Sequence, residues 1–425
     1  MPLTKYVSVT FTGGSNDGST SNPYTTIEDA RSDINDNLSD VGPHYIILSE
    51  SSAAQTVYSA SYGMPSGFEQ ELWVDSYDNG VIVSGAHGQD IIIDGNGATD
   101  KNAFELYGSG SGIHNMTIRN IGQHSAVGVG AILGNKRPYD IRGVTITSSF
   151  CGGITGLGDY SSTDAWTIVD SCRIHIGAGG GATPYGISFK DDSRNALINN
   201  CLIIFSGSTS KTPTRAIYAA AGGTDRATAS FCTFIARVAD LSHTDGNLGI
   251  RAPRVENCIV SMSLDSDANL NFPFISADNL SSPGANNLYA GFRTSIVSSG
   301  VRRKFDTTSA SFDAGALTYR NTDSLTLFNG PDTTFENIFA DWTLASGAPA
   351  VNAGTTTDYF GLTLIDLSGT LRADSDTGTG TATDIGAFEL ISLGYGNTVI
   401  GVVVDSLGKI IDVARADITK VIGVE

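Results

Sequence analysis

Basic charge is scarce in this chain, long apolar runs are absent, and cysteines are few. Lys and Arg number 25 against 44 Asp and Glu in 425 residues, a formal net charge of −19. Nucleic-acid binding needs a basic stripe that replaces phosphate counterions, so the charge balance argues against that class. The same sign disfavours an anionic membrane surface and makes a polyanionic substrate awkward unless cations bridge it. No apolar stretch reaches the roughly 20 residues of a membrane span. The opening "MPLTKYVSVTFTGG" lacks the basic segment and apolar core of a secretory signal, which predicts a protein made in the cytosol and not exported by the usual route. In that compartment five cysteines read as free thiols rather than a disulfide framework. Helical periodicity is nearly absent between residues 40 and 390.

What the chain has instead is a repeated six-residue phrase. It appears as "IHNMTI", "IRGVTI", "VDSCRI", "INNCLI", "ASFCTF" and "VENCIV". The fourth place holds Met116, Val144, Cys172, Cys201, Cys232 and Cys258, and then Leu288 in "ANNLYA", at steps of 28, 28, 29, 31, 26 and 30 residues. A period of this size marks a solenoid, in which each unit buries its apolar face only against its neighbours. The preceding place holds Asn115, Gly143, Ser171, Asn200, Phe231, Asn257 and Asn287. Asn and Gly accept positive φ most readily, so this column predicts a tight bend between short strands, with Phe231 as the exception. A second column, Phe104, Ile132, Ile154, Ile187, Ile217 and Ile250, follows a small residue each time and gives each unit another short strand. These features predict an all-β chain, a single right-handed parallel β-helix solenoid. Its Cys column is a buried ladder of small apolar side chains, with Cys151 also in the core.

On these residues the chain resembles the pectin-lyase-like β-helix proteins. The opening "YVSVTFTGGSNDGSTSNPYTTIEDARSDI" is similar to their usual start, a strand and loop followed by a helix that caps the coil, with Thr25 or Thr26 as N-cap. The stretches "ASGAPAVNAG" and "DLSGTLRADSDTGTGTATDIGAFEL" resemble the terminal coils that close such solenoids. The expected organisation is an N-terminal strand and capping helix at 1–39, the β-helix at 40–390, and a tail at 391–425. The resemblance is specific for fold and not for function, because this fold carries lyases, hydrolases, adhesins and viral spikes.

The tail is a different kind of sequence. "VIGVVVDSLGK", "IIDVARADITK" and "VIGVE" form an 11-residue repeat that puts Val399, Ile410 and Val421 in phase. Such a period suits helices with a slight right-handed supercoil, while the β-branched, Gly-containing "VIGVVV" suits short strands; helix is the preferred reading. The segment is too apolar for water and too short to fold alone. Val399, Ile400, Leu407, Ile411, Ile418 and Ile422 are therefore the expected docking residues for other virion proteins or for copies of the same chain. The tail is similar to repeats in structural proteins of tailed phages, which are assembled in the host cytoplasm without signal peptides. The two resemblances together imply a structural virion protein: a spike, fibre or surface-decoration subunit, with a host-surface glycan as the further partner to consider. The alternative is a polysaccharide lyase or glycoside hydrolase on the same scaffold; a bacterial adhesin is disfavoured by the missing signal.

Chemistry is sparse. "FKDDSR" sets Asp191 and Asp192 between Lys190 and Arg194, the best candidate acid/base pair. Neighbours on a strand point to opposite faces, however, and a charged turn is the preferred reading. "DSDAN", with Asp265, Asp267 and Asn269, has the opening spacing of a Ca²⁺ loop. Leu270 and Ser276 stand where the loop's Gly and Glu belong, so no cofactor is expected and Ca²⁺ is the one ion to consider. The histidines His44, His87, His114, His124, His175 and His243 are scattered. The long connections at 119–129, 175–184, 204–214, 236–247 and 261–284 all follow the Cys-column strand and so fall at one phase of the solenoid, where insertions build a common face.

Overall fold

The computed structural model describes residues 2–37, 43–49, 55–59, 70–72, 80–95, 97, 102–121, 130–134, 137–149, 152–158, 165–177, 185–189, 195–207, 215–219, 226–238, 250–252, 254–264, 275–276, 288–290, 296–298 and 301–303. Beyond these it describes 339, 342–344, 348, 350–352, 354, 365–368, 372, 383–384 and 386–388. The chain divides into two compact units, Met1–Glu389 and Leu390–Glu425. All of the second unit, with Val399, Ile400, Leu407, Ile411, Ile418 and Ile422, lies outside the described residues.

The first unit is a parallel β-solenoid whose strands stack into three sheets. The first sheet runs through Thr4–Val7, His44–Leu48, Val81–Gly85, Gly112–His114, Asp140–Arg142, Thr167–Asp170, Asn195–Asn199, Arg226–Ser230 and Arg254–Glu256. The second follows one corner later in each coil, from Gln55–Ser59 through Arg173–Ile176 and Leu202–Gly207 to Leu288–Ala290. The third runs from Gln70–Leu72 through Gly152–Leu157 and Tyr185–Phe189 to Ile275–Ser276. Each strand of these three sheets pairs in parallel with its counterpart one coil away, while Ile296–Ser298 and Val301–Arg303 form a separate antiparallel pair. The long connections therefore lead from the second sheet to the third.

The expected bend column lies between the first and second sheets. Asn115, Gly143, Ser171, Asn200, Phe231 and Asn257 all have φ between 50° and 63°. Phe231 takes the left-handed conformation with the rest, although a Cβ makes it costly by about 1 kcal/mol. The Ile column also holds, since Phe104, Ile132, Ile154, Ile187, Ile217 and Ile250 are consecutive partners and Ile275 extends it. The Cys column needs one correction. Leu288 pairs with Ile259, one place beyond Cys258, so it is not the register partner of Cys258 and not the next member.

The capping helix spans Ile27–Asp36. Thr26 is its N-cap: its Oγ1 accepts from the Asp29 amide at 3.0 Å and donates to Asp29 Oδ2 at 2.6 Å. Glu28 and Asp29 sit where the helix dipole favours acids. Ile27, Ala30 and Ile34 close the end of the core.

The lumen is filled by stacked aliphatic side chains and the four thiols of Cys172, Cys201, Cys232 and Cys258, all free and buried. Phe205 and Phe234 meet edge to face there, with centroids 5.4 Å apart. From about residue 195 the wall is buried on its outside as well. Ile198, Ile203, Phe234 and Val260 face the lumen, and the alternating residues Leu197, Leu202, Ile204, Ile235 and Ile259 are buried too. This explains why "CLIIF" and "CTFI" are continuously apolar rather than alternating.

Part of this outer layer is the motif expected to close the solenoid. Its described residues run along the corner between the first and second sheets. Arg173 Nη2 donates to the Leu367 carbonyl at 2.8 Å, and Asn200 Nδ2 to the Ile365 carbonyl at 2.5 Å. The Gly386 amide donates to the Asn257 carbonyl at 2.8 Å, and the Ala387 amide to Thr233 Oγ1 at 2.9 Å. The segment is thus a strap across successive coils. Within it, the amides of Gly354 and Leu367 donate to the carbonyls of Thr383 and Ala387.

Candidate functional site

The residue just before each bend points away from the lumen, and in coil after coil it is polar. Register pairs Ser84, His114, Arg142, Asp170, Asn199, Ser230 and Glu256 in one column on the outer face of the first sheet. Asp140, two places before Arg142, faces outward beside it. Arg142 Nε donates to Asp140 Oδ1 at 2.5 Å, and His114 Nε2 lies 3.6 Å from Asp140 Oδ2. One coil on, Asp170 Oδ1 accepts from Asn199 Nδ2 at 2.7 Å, and Asp170 Oδ2 from Ser171 Oγ at 3.0 Å.

The two carboxyls are driven in opposite directions. Burial works to raise Asp140, but hydrogen bonds and charge from His114 and Arg142 hold it below its usual value. Asp170 is raised, because its burial outweighs the bonds from Asn199 and Ser171 and the charge of Arg142. Such divergence is how one site holds an ionised base beside a protonated acid. Access weighs against chemistry here, since Asp170 is only 8% exposed. On the second sheet, Asp94 is likewise held by Arg119 Nε at 2.6 Å and Asn120 Nδ2 at 3.0 Å.

A second buried polar group fixes the strap. Arg372, 4% exposed, sits 4.0 Å above the Phe231 ring. Its Nη2 donates to Asn200 Oδ1 at 2.6 Å and to the Gly386 carbonyl at 3.0 Å. Asp384 Oδ1 accepts from the Asn352 amide at 2.6 Å, and Asp366 Oδ1 from the Ser368 amide at 2.9 Å. These acids hold backbone turns.

The sequence-predicted candidates do not coincide with these groups. Lys190, Asp191, Asp192 and Arg194, with Asp265, Asp267, Asn269 and Cys151, lie outside the described residues. Among the described residues no three His, Cys, Asp or Glu converge as metal ligands. The polar column is legible as the second place of each phrase, "IHN", "IRG", "VDS", "INN", one residue before the bend. Its members differ in chemistry, so no motif marks it in the sequence.

His175 gives a pH prediction. Its imidazole is 8% exposed, and burial lowers its pKa to about 4. The unfolded chain takes up this proton near pH 6.5, whereas the folded chain takes it up only near pH 4. Stability should be intact above pH 6.5 and fall between there and pH 4 by up to about 3 kcal/mol. Asp170 has the opposite sign: its raised carboxyl takes up a proton in the folded state first, so it partly offsets the loss at the acid end. Urea unfolding across this range should show the slope, and His175→Gln should flatten it; an unchanged slope would refute the assignment.

No family model matches the chain, and no curated protein matches it.

Proposed function

We propose that the chain is a structural protein of a tailed-phage particle, a spike, fibre or surface-decoration subunit of pectin-lyase-like kind, with the β-helix as its rigid shaft. The observation that carries this reading is the wall. Coils stack in register from Thr4 to Ala290, and Asp94, Asp140, Asp170 and Glu256 are each tied to a side chain of their own or the next coil. Carboxylates committed to neighbours stiffen a rod and leave little for substrate. Residues 391–425 dock the shaft onto another virion protein or further copies through Val399, Ile400, Leu407, Ile411, Ile418 and Ile422. At about 1.5–3 kcal/mol for each fully buried side chain, these six offset part of the cost of ordering the tail, and further contacts with the partner must supply the rest. Ending the chain at Glu389 should leave a folded β-helix that no longer joins its assembly; normal incorporation of the truncated protein would defeat the docking role.

The second reading is a carbohydrate depolymerase, favoured by the opposed poise of Asp140 and Asp170 with Arg142 between them. Incubation with host capsule or lipopolysaccharide separates the two. The structural reading expects no new reducing or unsaturated ends. Product that disappears in Asp170→Asn, or in Asp191→Ala or Asp192→Ala, would establish the enzyme and identify its acid.

A further inference from the structure

The four thiols are more than filler, because their spacing and surroundings suit an ion. Arg173, Leu202, Thr233 and Ile259 are consecutive register partners, so Cys172, Cys201, Cys232 and Cys258, each one residue earlier, occupy one line along the solenoid. Every Sγ lies 3.1–3.3 Å from the carbonyl oxygen two residues back. Each also lies 3.6–3.9 Å from a carbonyl oxygen on the preceding coil. Successive thiols therefore stand on neighbouring coils, one strand spacing (~4.8 Å) apart.

We propose that this column binds soft, two-coordinate d¹⁰ cations of the Cu(I) and Ag(I) type, one between Cys172 and Cys201 and one between Cys232 and Cys258. Coordination number selects the ion. Thiolate sulfur favours soft metals, yet among the described residues no third ligand converges, so a tetrahedral zinc site has no donors. A linear S–M–S unit with bonds of about 2.3 Å spans about 4.6 Å, close to the strand spacing of about 4.8 Å.

Charge balance fits as well. One thiol of each pair loses its proton to solvent and forms the metal–sulfur bond, while the other donates a sulfur lone pair and keeps its proton. Each ion is therefore bound as a neutral unit, as a dry lumen requires. The carbonyl oxygens around each sulfur favour a cation and oppose a bare thiolate. Because the column is at most 1% exposed, loading proceeds through local opening and is slow.

The test uses the full chain carrying Cys151→Ser, so that the fifth thiol does not report, incubated with silver nitrate to equilibrium and then desalted. The expected result is two Ag(I) retained per chain, one proton released per ion, a thiolate-to-metal absorption band, and no displacement by excess Zn²⁺. Val144 occupies the same column, so Cys201→Val and Cys258→Val are substitutions the fold accepts, with circular dichroism as the check. Cys201→Val should retain one ion and the double variant none. A folded parent chain that retains no silver, or a double variant that still retains two ions, would overturn the proposal.

Discussion

Arg372→Ala should release the strap from the solenoid while leaving the coils stacked. The guanidinium is the point where the strap meets the bend column, stacked 4.0 Å above Phe231 and bonded to Asn200 Oδ1 and the Gly386 carbonyl. Truncation removes a cation–π contact worth up to about 2 kcal/mol when desolvated. It also removes two charge-assisted hydrogen bonds and leaves the Asn200 and Gly386 oxygens without this donor. Part of that overlaps, so a net loss of about 3–5 kcal/mol is expected for docking the strap. Amide exchange should rise sharply at Leu367, Gly386 and Ala387, and protease should cut near the strap. The lumen amides of Ile174, Ile203 and Phe234 should stay protected. Arg372→Lys should be intermediate, since an ammonium keeps the charge and loses the planar stack. If Arg372→Ala leaves exchange at Gly386 and Ala387 unchanged, the strap is held by its backbone bonds instead.

The same corner shows what the sequence could and could not reveal. Position 231 was the misfit of the bend column, because Phe disfavours positive φ; yet its backbone follows the column at 51°. Stacking of the coils on either side dictates the bend, and local preference yields. The aromatic ring then has a use that no periodicity can announce, since its partner is Arg372, more than a hundred residues further on. The two apolar columns were legible because each coil repeats the same environment at a fixed period. The strap was not, because it meets the coils sideways and leaves no period in its own sequence. Its trace was present in a different form: runs such as "LIIF", apolar on both faces of a strand, require a covering layer. Leu288 shows the limit of the column method. One place of slip in "ANNLYA" costs nothing in composition, yet it moves Leu288 from the register of Cys258 to that of Ile259.

Gly186→Val should be the most damaging single change in the wall. At Gly153 and Gly186 the small residue ahead of the third-sheet Ile is required by a close approach. A Cβ at Gly186 would lie 2.4 Å from the Ala216 carbonyl oxygen on the next coil and 2.8 Å from Ile203 Cγ2 in the lumen. Gly153 is in the same position one coil earlier, 2.4 Å from the Gly186 oxygen and 2.7 Å from Ile174 Cγ2. The backbone oxygen cannot move without breaking the ladder that joins Tyr185–Phe189 to Arg215–Tyr218. The Ile side chain cannot move either, because the core is filled at close-packed density. Overpacking of this kind costs about 3 kcal/mol or more, and it falls in mid-solenoid, where every coil beyond depends on the interface. Alanine should already be destabilising, and valine should give insoluble protein or a chain that unfolds at much lower urea. A control at Gly88, where an added Cβ meets nothing within 4 Å, should show only the smaller penalty of its positive φ. Should Gly186→Val fold with the parent's midpoint, the coils are less tightly stacked at this corner than the 2.4 Å approach requires.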